Sequence, residues 1–200
     1  MEAKEKPSST GKLVLLIGPS GVGKSAILRA IRKAHPEFHY PKSATTRAKR
    51  QGEGEDLYHF VSEPEFQDLL SQGKLLEYAI VHGSDHYGTL VDEIIPYIKD
   101  GKTVIREVDV QGFVSIQNNP NFLPESKHRL QSIFIMPENR EQLINRIQNR
   151  APISGEELER RLQSMDKELA YANHCSNVIT NRDGKLDESV SKVEKLILEG

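Results

Sequence analysis

The chain carries one cysteine, Cys175, in 200 residues, which excludes a disulfide within the chain and fits a reducing compartment. No helix N-terminus or basic neighbour stands beside it, so it reads as a small, partly buried side chain and not as a reactive thiol. Long apolar runs are also missing: nothing approaches the roughly 18 residues that a membrane span needs. Residues 1–11 mix Lys, Glu, Pro and Ser without an apolar centre, which reads as a flexible tail and not as a secretory signal. There is no surplus of charge. A net charge of −2 gives no broad footprint for nucleic acid or an anionic membrane, so affinity for phosphate must come from local basic clusters. Internal repeats and low-complexity tracts are absent. The seven histidines show no metal-ligand spacing. His82 and His86 are four apart, but Gly83 and Asp85 break any helix between them, and all seven read as structural or solvent-facing.

What is present is an ordinary globular composition, 36% hydrophobic and 28% charged, in one domain able to bury roughly 70% of its unfolded surface. Short continuous apolar runs predict covered strands over 13–17, 103–110 and 130–136, with further strands over 74–81 and 177–180. Helical spacing predicts helices over 24–35, 64–71, 89–99, 138–149, 155–172 and 186–198, with Pro36 stopping the first. Ser154 with Glu157 reads as a capping box opening the helix over 155–172, whose stripe of Leu158, Leu162, Met165 and Leu169 is core packing. Strands alternating with helices predict an α/β fold built on a parallel sheet. The polar, basic stretch 41–88 breaks that alternation and reads as an inserted lobe, and the loop 117–127 reads as a surface connection.

Gly18-Pro19-Ser20-Gly21-Val22-Gly23-Lys24-Ser25 matches G-x-x-x-x-G-K-[ST] at every required position, between an apolar strand and a helix. The glycines let backbone N–H groups wrap a β-phosphate, and the helix N-terminus adds positive potential. Lys24 is expected on the β- and γ-phosphates of ATP and the Ser25 hydroxyl on Mg²⁺. This P-loop specifies a nucleoside triphosphate and magnesium, but not whether the phosphoryl group goes to water or to an acceptor.

The lobe supplies candidates for a second anion. Arg47 and Arg50 stand three apart in a non-helical stretch, followed by Tyr58, Glu77 and Tyr87-Gly88-Thr89, and guanidinium forks with phenols suit a phosphate dianion. Glu107 and Asp109, two apart on the strand predicted over 103–110, are expected on one face at its C-terminal end, where open α/β sheets bind ligands. A magnesium shell or a nucleotide amine is the natural partner for such carboxylates.

These pieces, the P-loop, Thr45-Thr46-Arg47 with Arg50, Tyr58-x-Phe60-Val61, Leu76-Glu77-Tyr78, Tyr87-Gly88-Thr89 and Asp109-Val110-Gln111-Gly112, together resemble guanylate kinase, in the same order and over nearly the whole chain. The resemblance implies a core over 12–40, 89–145 and 172–200, covered by helices on both faces. To it are joined a mixed β/α monophosphate-binding lobe over 41–88 and a helical lid over 146–171, which close on ATP and GMP. Arg47, Arg50, Tyr58 and Tyr87 are then expected on the GMP phosphate, and Ser43, Glu77 and Thr89 on the guanine. Glu107 and Asp109 are expected near the acceptor and its magnesium-linked water, and Arg146, Arg150 and Arg161 over the ATP phosphates. Asn181 is expected beside the adenine ring. The implied activity is Mg²⁺-dependent transfer of the ATP γ-phosphoryl group to GMP by a cytoplasmic monomer or small homo-oligomer.

Lys49 stands where that family usually has proline, Glu107 where it often has aspartate and Ala151 where it often has glycine, and Ser84-Asp85-His86 is bulkier than usual; none of these removes a group that performs chemistry. A non-catalytic scaffold module of the same fold typically lacks an intact P-loop and lid arginines, both present here. A P-loop kinase for a ribose phosphate would have no use for Glu77 and Thr89.

Overall fold

A computed structural model describes residues 11–51, 53–54, 57–81, 85–150 and 154–200, with Val81, Asn149, Arg150 and Glu157 described by their backbone alone. Residues 1–10 of the tail expected over 1–11, together with His82, Ser84 and Ala151, lie outside the described residues. Gly11, counted with that tail, is buried, and its N–H donates to the Ile98 carbonyl at 3.2 Å.

Strand β1, Lys12–Ile17, is buried at all six positions, as a run of Leu, Val and Ile with no polar alternation requires. A glycine-rich turn leads into helix α1, Lys24–Ala34, whose buried Ile27 and Ile31 are four apart on one side. Its first turn holds no acidic residue, while Arg32 and Lys33 occupy the last. The positive end of the helix is thus left for an external anion. Strands β2, Ser43–Thr45, and β3, Tyr58–Phe60, precede helix α2, Glu63–Ser71. That helix is opened by a capping box: Glu65 N–H donates to Ser62 Oγ while Ser62 N–H donates to Glu65 Oε2 at 2.7 Å. Next come β4, Leu75–Val81, and β5, Asp85–Leu90, then a 3₁₀ turn over Val91–Glu93 and helix α3, Ile95–Lys99. The remainder runs β6 (Thr103–Glu107), α4 (Val110–Gln117), β7 (Arg129–Pro137), α5 (Arg140–Arg150), α6 (Gly155–Ala170), a 3₁₀ turn over Tyr171–His174, β8 (Asn177–Asn181) and α7 (Leu186–Glu199).

Two four-stranded sheets result, ordered β6-β1-β7-β8 and β3-β2-β5-β4. In the first, β7 and β8 run parallel; in the second, β2 pairs parallel with β3 and antiparallel with β5. This is the expected α/β class. The chain divides into two compact units. One comprises the described residues up to Leu13 with Phe38–Ile105 and Val114–Leu130. The other comprises Val14–Glu37, Arg106–Phe113 and Gln131–Gly200. Within the first unit, Ala44, Phe66 and Leu75 form a core beneath the second sheet, joined by Val61, Leu69, Leu70 and Leu90.

Three expected elements are corrected. The helix expected over 89–99 begins only at Ile95, because Thr89 is a strand residue paired with both Ser43 and Glu77. The strand expected over 103–110 stops at Glu107. Beyond it Asp109 Oδ1 accepts from Gly112 N–H at 2.7 Å and caps α4, so Glu107 and Asp109 do not share a strand face. The helix expected from residue 138 starts at Arg140 because Asn139 Oδ1 takes the Gln142 N–H at 2.9 Å.

Helices α1 and α7 are tied through His35. Its Nε2 lies 2.5 Å from Glu194 Oε1 and its Nδ1 2.8 Å from Glu37 Oε1. The hydrogen bond to Glu194, and then that to Glu37, raise the His35 pKa above the ordinary histidine value. A folded value above the unfolded one means that this stabilisation is fully present below about pH 6.5 and is lost as pH rises through the raised value. His35→Gln is therefore expected to lower the urea midpoint more at about pH 6 than at about pH 9. Equal losses at the two pH values would show that the clamp carries no protonation-linked stability.

Candidate active site

The P-loop folds between β1 and α1. Gly23 sits at φ +106°, in the left-handed region that a Cβ disfavours, and a Cβ there would lie 2.4 Å from Asn181 Nδ2. From this turn the chain enters α1 with Lys24 and Ser25 in the first turn. Lys24 Nζ donates to the Gly18 carbonyl at 2.6 Å and the Pro19 carbonyl at 3.1 Å. Burial pushes the Lys24 ammonium below the ordinary lysine range, opposed by the carboxylates of Glu107, Glu168 and Asp109. Ser25 Oγ donates to Glu107, 2.8 Å from Oε2 and 3.1 Å from Oε1.

A cleft of about 550 Å³ opens here, lined by the P-loop, Arg29, Glu107, Val108 and Asp109. Its volume lies within the range of ligand pockets. Glu107 and Asp109 thus stand on the P-loop side, and Glu107 is the closer partner of Ser25. Two residues missed in the sequence belong to this neighbourhood. Arg29 follows Ser25 by four on α1, a spacing that could have revealed it. Glu168 on α6 is brought near only by the fold, and burial raises its carboxyl above the carboxylate range.

Arg146, expected in a lid, reaches the P-loop from α5. Its Nη1 donates to the Val22 carbonyl at 2.9 Å, while Nε and Nη2 donate to Asp183 Oδ1 at 3.1 and 2.5 Å. Arg161 is exposed on α6, and the side chain of Arg150 lies outside the described residues. Asn181, expected beside an adenine ring, is 3% exposed, and its Nδ2 donates to the Val22 carbonyl at 2.8 Å. Cys175 is half-buried, and burial pushes its thiol up to about 11, which leaves it unreactive.

The second sheet assembles the other expected residues by register. Ser43 stands opposite Tyr58 on β3 and opposite Thr89 on β5, and Thr89 opposite Glu77 on β4. Tyr58, Ser43, Thr89 and Glu77 therefore form one cross-strand row, with their side chains on one face. A bulge makes this possible: Leu75 pairs with Leu90 but Glu77 with Thr89, so Leu76 is the extra residue. Both leucines are buried, at 8% and 3% exposure. Without the extra residue, Leu76 would oppose Thr89 and Glu77 would point to the other face. The Thr89 hydroxyl donates to Glu77 Oε1.

Tyr87 lies two residues before Thr89, on the same face. Its phenol accepts from Arg47 Nε at 3.0 Å. The Arg47 guanidinium carbon is 5.5 Å from the ring centres of both Tyr58 and Phe60. Arg47 Nη2 donates to Glu53 Oε1 at 2.6 Å, and the other Glu53 oxygen accepts the Arg50 N–H at 3.0 Å. Pairing with Arg47 lowers the Glu53 carboxyl below the ordinary range. Arg50 itself is exposed.

A chain that carries a P-loop with a magnesium-type hydroxyl and, on its second sheet, an arginine–tyrosine cradle and a carboxylate–hydroxyl pair has the parts of a P-loop phosphotransferase with a nucleotide acceptor. Residues 10–199 match the family model described as guanylate kinase. The guanylate kinase of Trichormus variabilis is 42% identical over 181 residues, covering 90% of this chain and 86% of that protein. That of Mycobacterium bovis is 34% identical over 198 residues, covering 98% and 91%. The crystal structure of guanylate kinase from Anaplasma phagocytophilum superposes with a TM-score of 0.68 at 25% identity, covering 96% of this chain and 86% of that one. The chain belongs to the guanylate kinase family, and its activity is that of a nucleotide phosphotransferase.

Because Gly23 combines a left-handed backbone with contact to Asn181, Gly23→Ala is expected to weaken triphosphate binding at least about tenfold. Titration calorimetry with ATP checks this, and an unchanged affinity would show that the loop tolerates a side chain there.

Proposed function

We propose that the chain holds ATP in the P-loop cleft and GMP on the second sheet, and that it moves the γ-phosphoryl group between them with Mg²⁺. The observation that carries this reading is the cross-strand row Tyr58–Ser43–Thr89–Glu77, set by the Leu76 bulge. One carboxylate oriented by a hydroxyl matches guanine, which offers N1–H and the N2 amino group beside the O6 acceptor. Adenine would set an unprotonated ring nitrogen against the same carboxylate, a mismatch worth roughly 10⁴-fold in specificity.

Arg47, steered by Tyr87 and set beside the Tyr58 and Phe60 rings, takes the GMP phosphate with Arg50. The phosphate dianion competes with Glu53 for the guanidinium. On the ATP side, Lys24 exchanges the Gly18 and Pro19 carbonyls for the β- and γ-phosphates. The Ser25 hydroxyl and the Glu107 carboxylate are hard oxygen donors within 3.1 Å of each other, and Asp109 lines the same cleft. This donor set fits Mg²⁺: Ser25 would bind it directly, and Glu107 and Asp109 would hold its water. When bound, the ion neutralises charge on the β- and γ-phosphates. An oxygen of the GMP phosphate then bonds to the γ-phosphorus as the bond to the β–γ bridging oxygen breaks, giving GDP and ADP. Arg146, Arg150 and Arg161 neutralise the transferring group and exclude water. Asn181 acts beneath the P-loop.

In this reading 41–88 is the monophosphate lobe, 146–171 the lid, and 12–40, 89–145 and 172–200 the core. The protein works in the cytoplasm as a monomer or small homo-oligomer, without nucleic-acid or membrane partners. Among the described residues, no helix is long and apolar enough to cross a membrane.

The test measures ADP formation from ATP and Mg²⁺ with GMP, AMP, UMP and CMP in parallel. GMP alone is expected to support turnover. Glu77→Gln, which converts one acceptor into a donor, is expected to lower kcat/KM for GMP by roughly 10²-fold or more, and Lys24→Ala to remove activity. Turnover with AMP and not GMP would overturn the guanine assignment, and an undiminished Lys24→Ala would overturn the mechanism.

A further inference from the structure

Beneath the phosphate loop lies a chain of buried polar groups, Ser189, Asn181 and Gln142, that do not themselves line the cleft. Ser189 on α7 is 2% exposed, and its Oγ donates to Asn181 Oδ1 at 2.9 Å. Asn181, at the end of β8, donates from Nδ2 to the Val22 carbonyl. Gln142 of α5, 4% exposed, donates to the Asn181 carbonyl at 3.2 Å, and its own Oε1 accepts the Glu138 N–H at 2.8 Å. Each Asn181 side-chain atom thus has one partner, and the amide cannot turn without breaking both bonds.

The carbonyl at the end of this chain belongs to the peptide that joins Val22 to Gly23. In a planar trans peptide, the C=O and the following N–H point in opposite directions. Holding the Val22 carbonyl against Asn181 therefore turns the Gly23 N–H away from Asn181, towards the cleft that Gly23 lines. The same carbonyl accepts from Arg146. An Arg146 that moves onto the phosphates of a bound nucleotide leaves Asn181 as the side chain that keeps the peptide from flipping. The 2.4 Å approach of a Gly23 Cβ to Asn181 Nδ2 shows how closely the amide is seated under the loop.

We infer that Asn181 and Ser189 are positioning residues for ATP: Ser189 fixes the Asn181 amide, and the amide fixes the Val22–Gly23 peptide with its N–H facing the phosphates. This rests on the reading that the cleft holds ATP. The pair acts through the backbone and touches no reacting atom, so its loss is felt in ATP affinity and hardly in the transfer step.

The test compares Ser189→Ala, Ser189→Thr and Asn181→Asp with the wild-type protein. The readouts are MgATP and GMP affinity by calorimetry, KM and kcat for each nucleotide, and thermal melting. Removing one partner from a buried hydrogen bond is expected to raise the Kd and KM for ATP about tenfold in Ser189→Ala. The GMP affinity and the kcat at saturating ATP stay as in wild type. Ser189→Thr, which keeps the hydroxyl, restores ATP affinity. Asn181→Asp keeps the shape and still accepts from Ser189, but cannot donate to Val22, and is expected to lose ATP affinity in the same selective way.

Unchanged ATP affinity in both Ser189→Ala and Asn181→Asp would overturn the inference, even with a lower melting temperature. So would a parallel loss of both nucleotides, which marks a general structural role. Absence of MgATP binding in the wild-type protein would instead defeat the functional reading itself, and so stands apart from either outcome.

Discussion

Four of the side chains assigned to a phosphate or metal already have acceptors of the protein's own. Lys24 gives its protons to the Gly18 and Pro19 carbonyls, Ser25 to Glu107, Arg47 to Glu53 and Arg146 to Asp183 and Val22. The constraint is general: a buried or half-buried donor left without a partner costs about 1–3 kcal/mol. A site that must bind a polyanion cannot simply keep empty donors waiting. It holds them on acceptors of its own that the ligand displaces. This explains how a chain with a net charge of −2 can handle two highly charged nucleotides. The positive charge is local, and Lys24, Arg47 and Arg146 are engaged by acceptors of the protein until the ligand arrives.

The two anion sites satisfy this constraint with different backbones. The P-loop uses main-chain geometry: a left-handed Gly23, a helix start without acidic side chains, and a peptide pinned by Asn181 and Arg146. The second sheet uses side chains placed by strand register. Arg47 is held on three sides, by Tyr87, Glu53 and the Ala48 carbonyl, with the Tyr58 and Phe60 rings nearby. A guanidinium locked in this way loses little further freedom on meeting a phosphate, which is where the fork geometry of arginine is worth most. The Thr89 hydroxyl does the same for Glu77, turning a flexible carboxylate into an oriented acceptor.

Local signals in the sequence were read well where a short segment decides its own structure. The run around Leu13–Ile17 could only be a covered strand, and the P-loop spacing placed Gly23, Lys24 and Ser25 at a helix start. The readings failed where two local rules competed. Asp109 could continue a strand or cap a helix, and its carboxylate went to Gly112 N–H, ending the strand two residues earlier. Thr89 could open a helix or occupy a strand, and pairing with two neighbouring strands outweighed its local preference. Asn181 is expected beside the adenine ring from the family resemblance alone. Its burial and two side-chain hydrogen bonds, to Val22 and Ser189, come from tertiary packing that no local signal announced.

The sequence alone settled the chemistry of the donors, because residue type and short spacing determine which groups a turn or a helix start presents. It therefore carried the P-loop, the arginine pair and the family resemblance. Tertiary structure decided which groups meet. Tyr58, Ser43, Thr89 and Glu77 come from four strands, and one extra residue at Leu76 chooses the face on which Glu77 stands. Ser189 and Asn181 reach Val22 across more than 150 positions of chain. Register and long-range packing are set by the whole core at once, so no window of sequence could contain them.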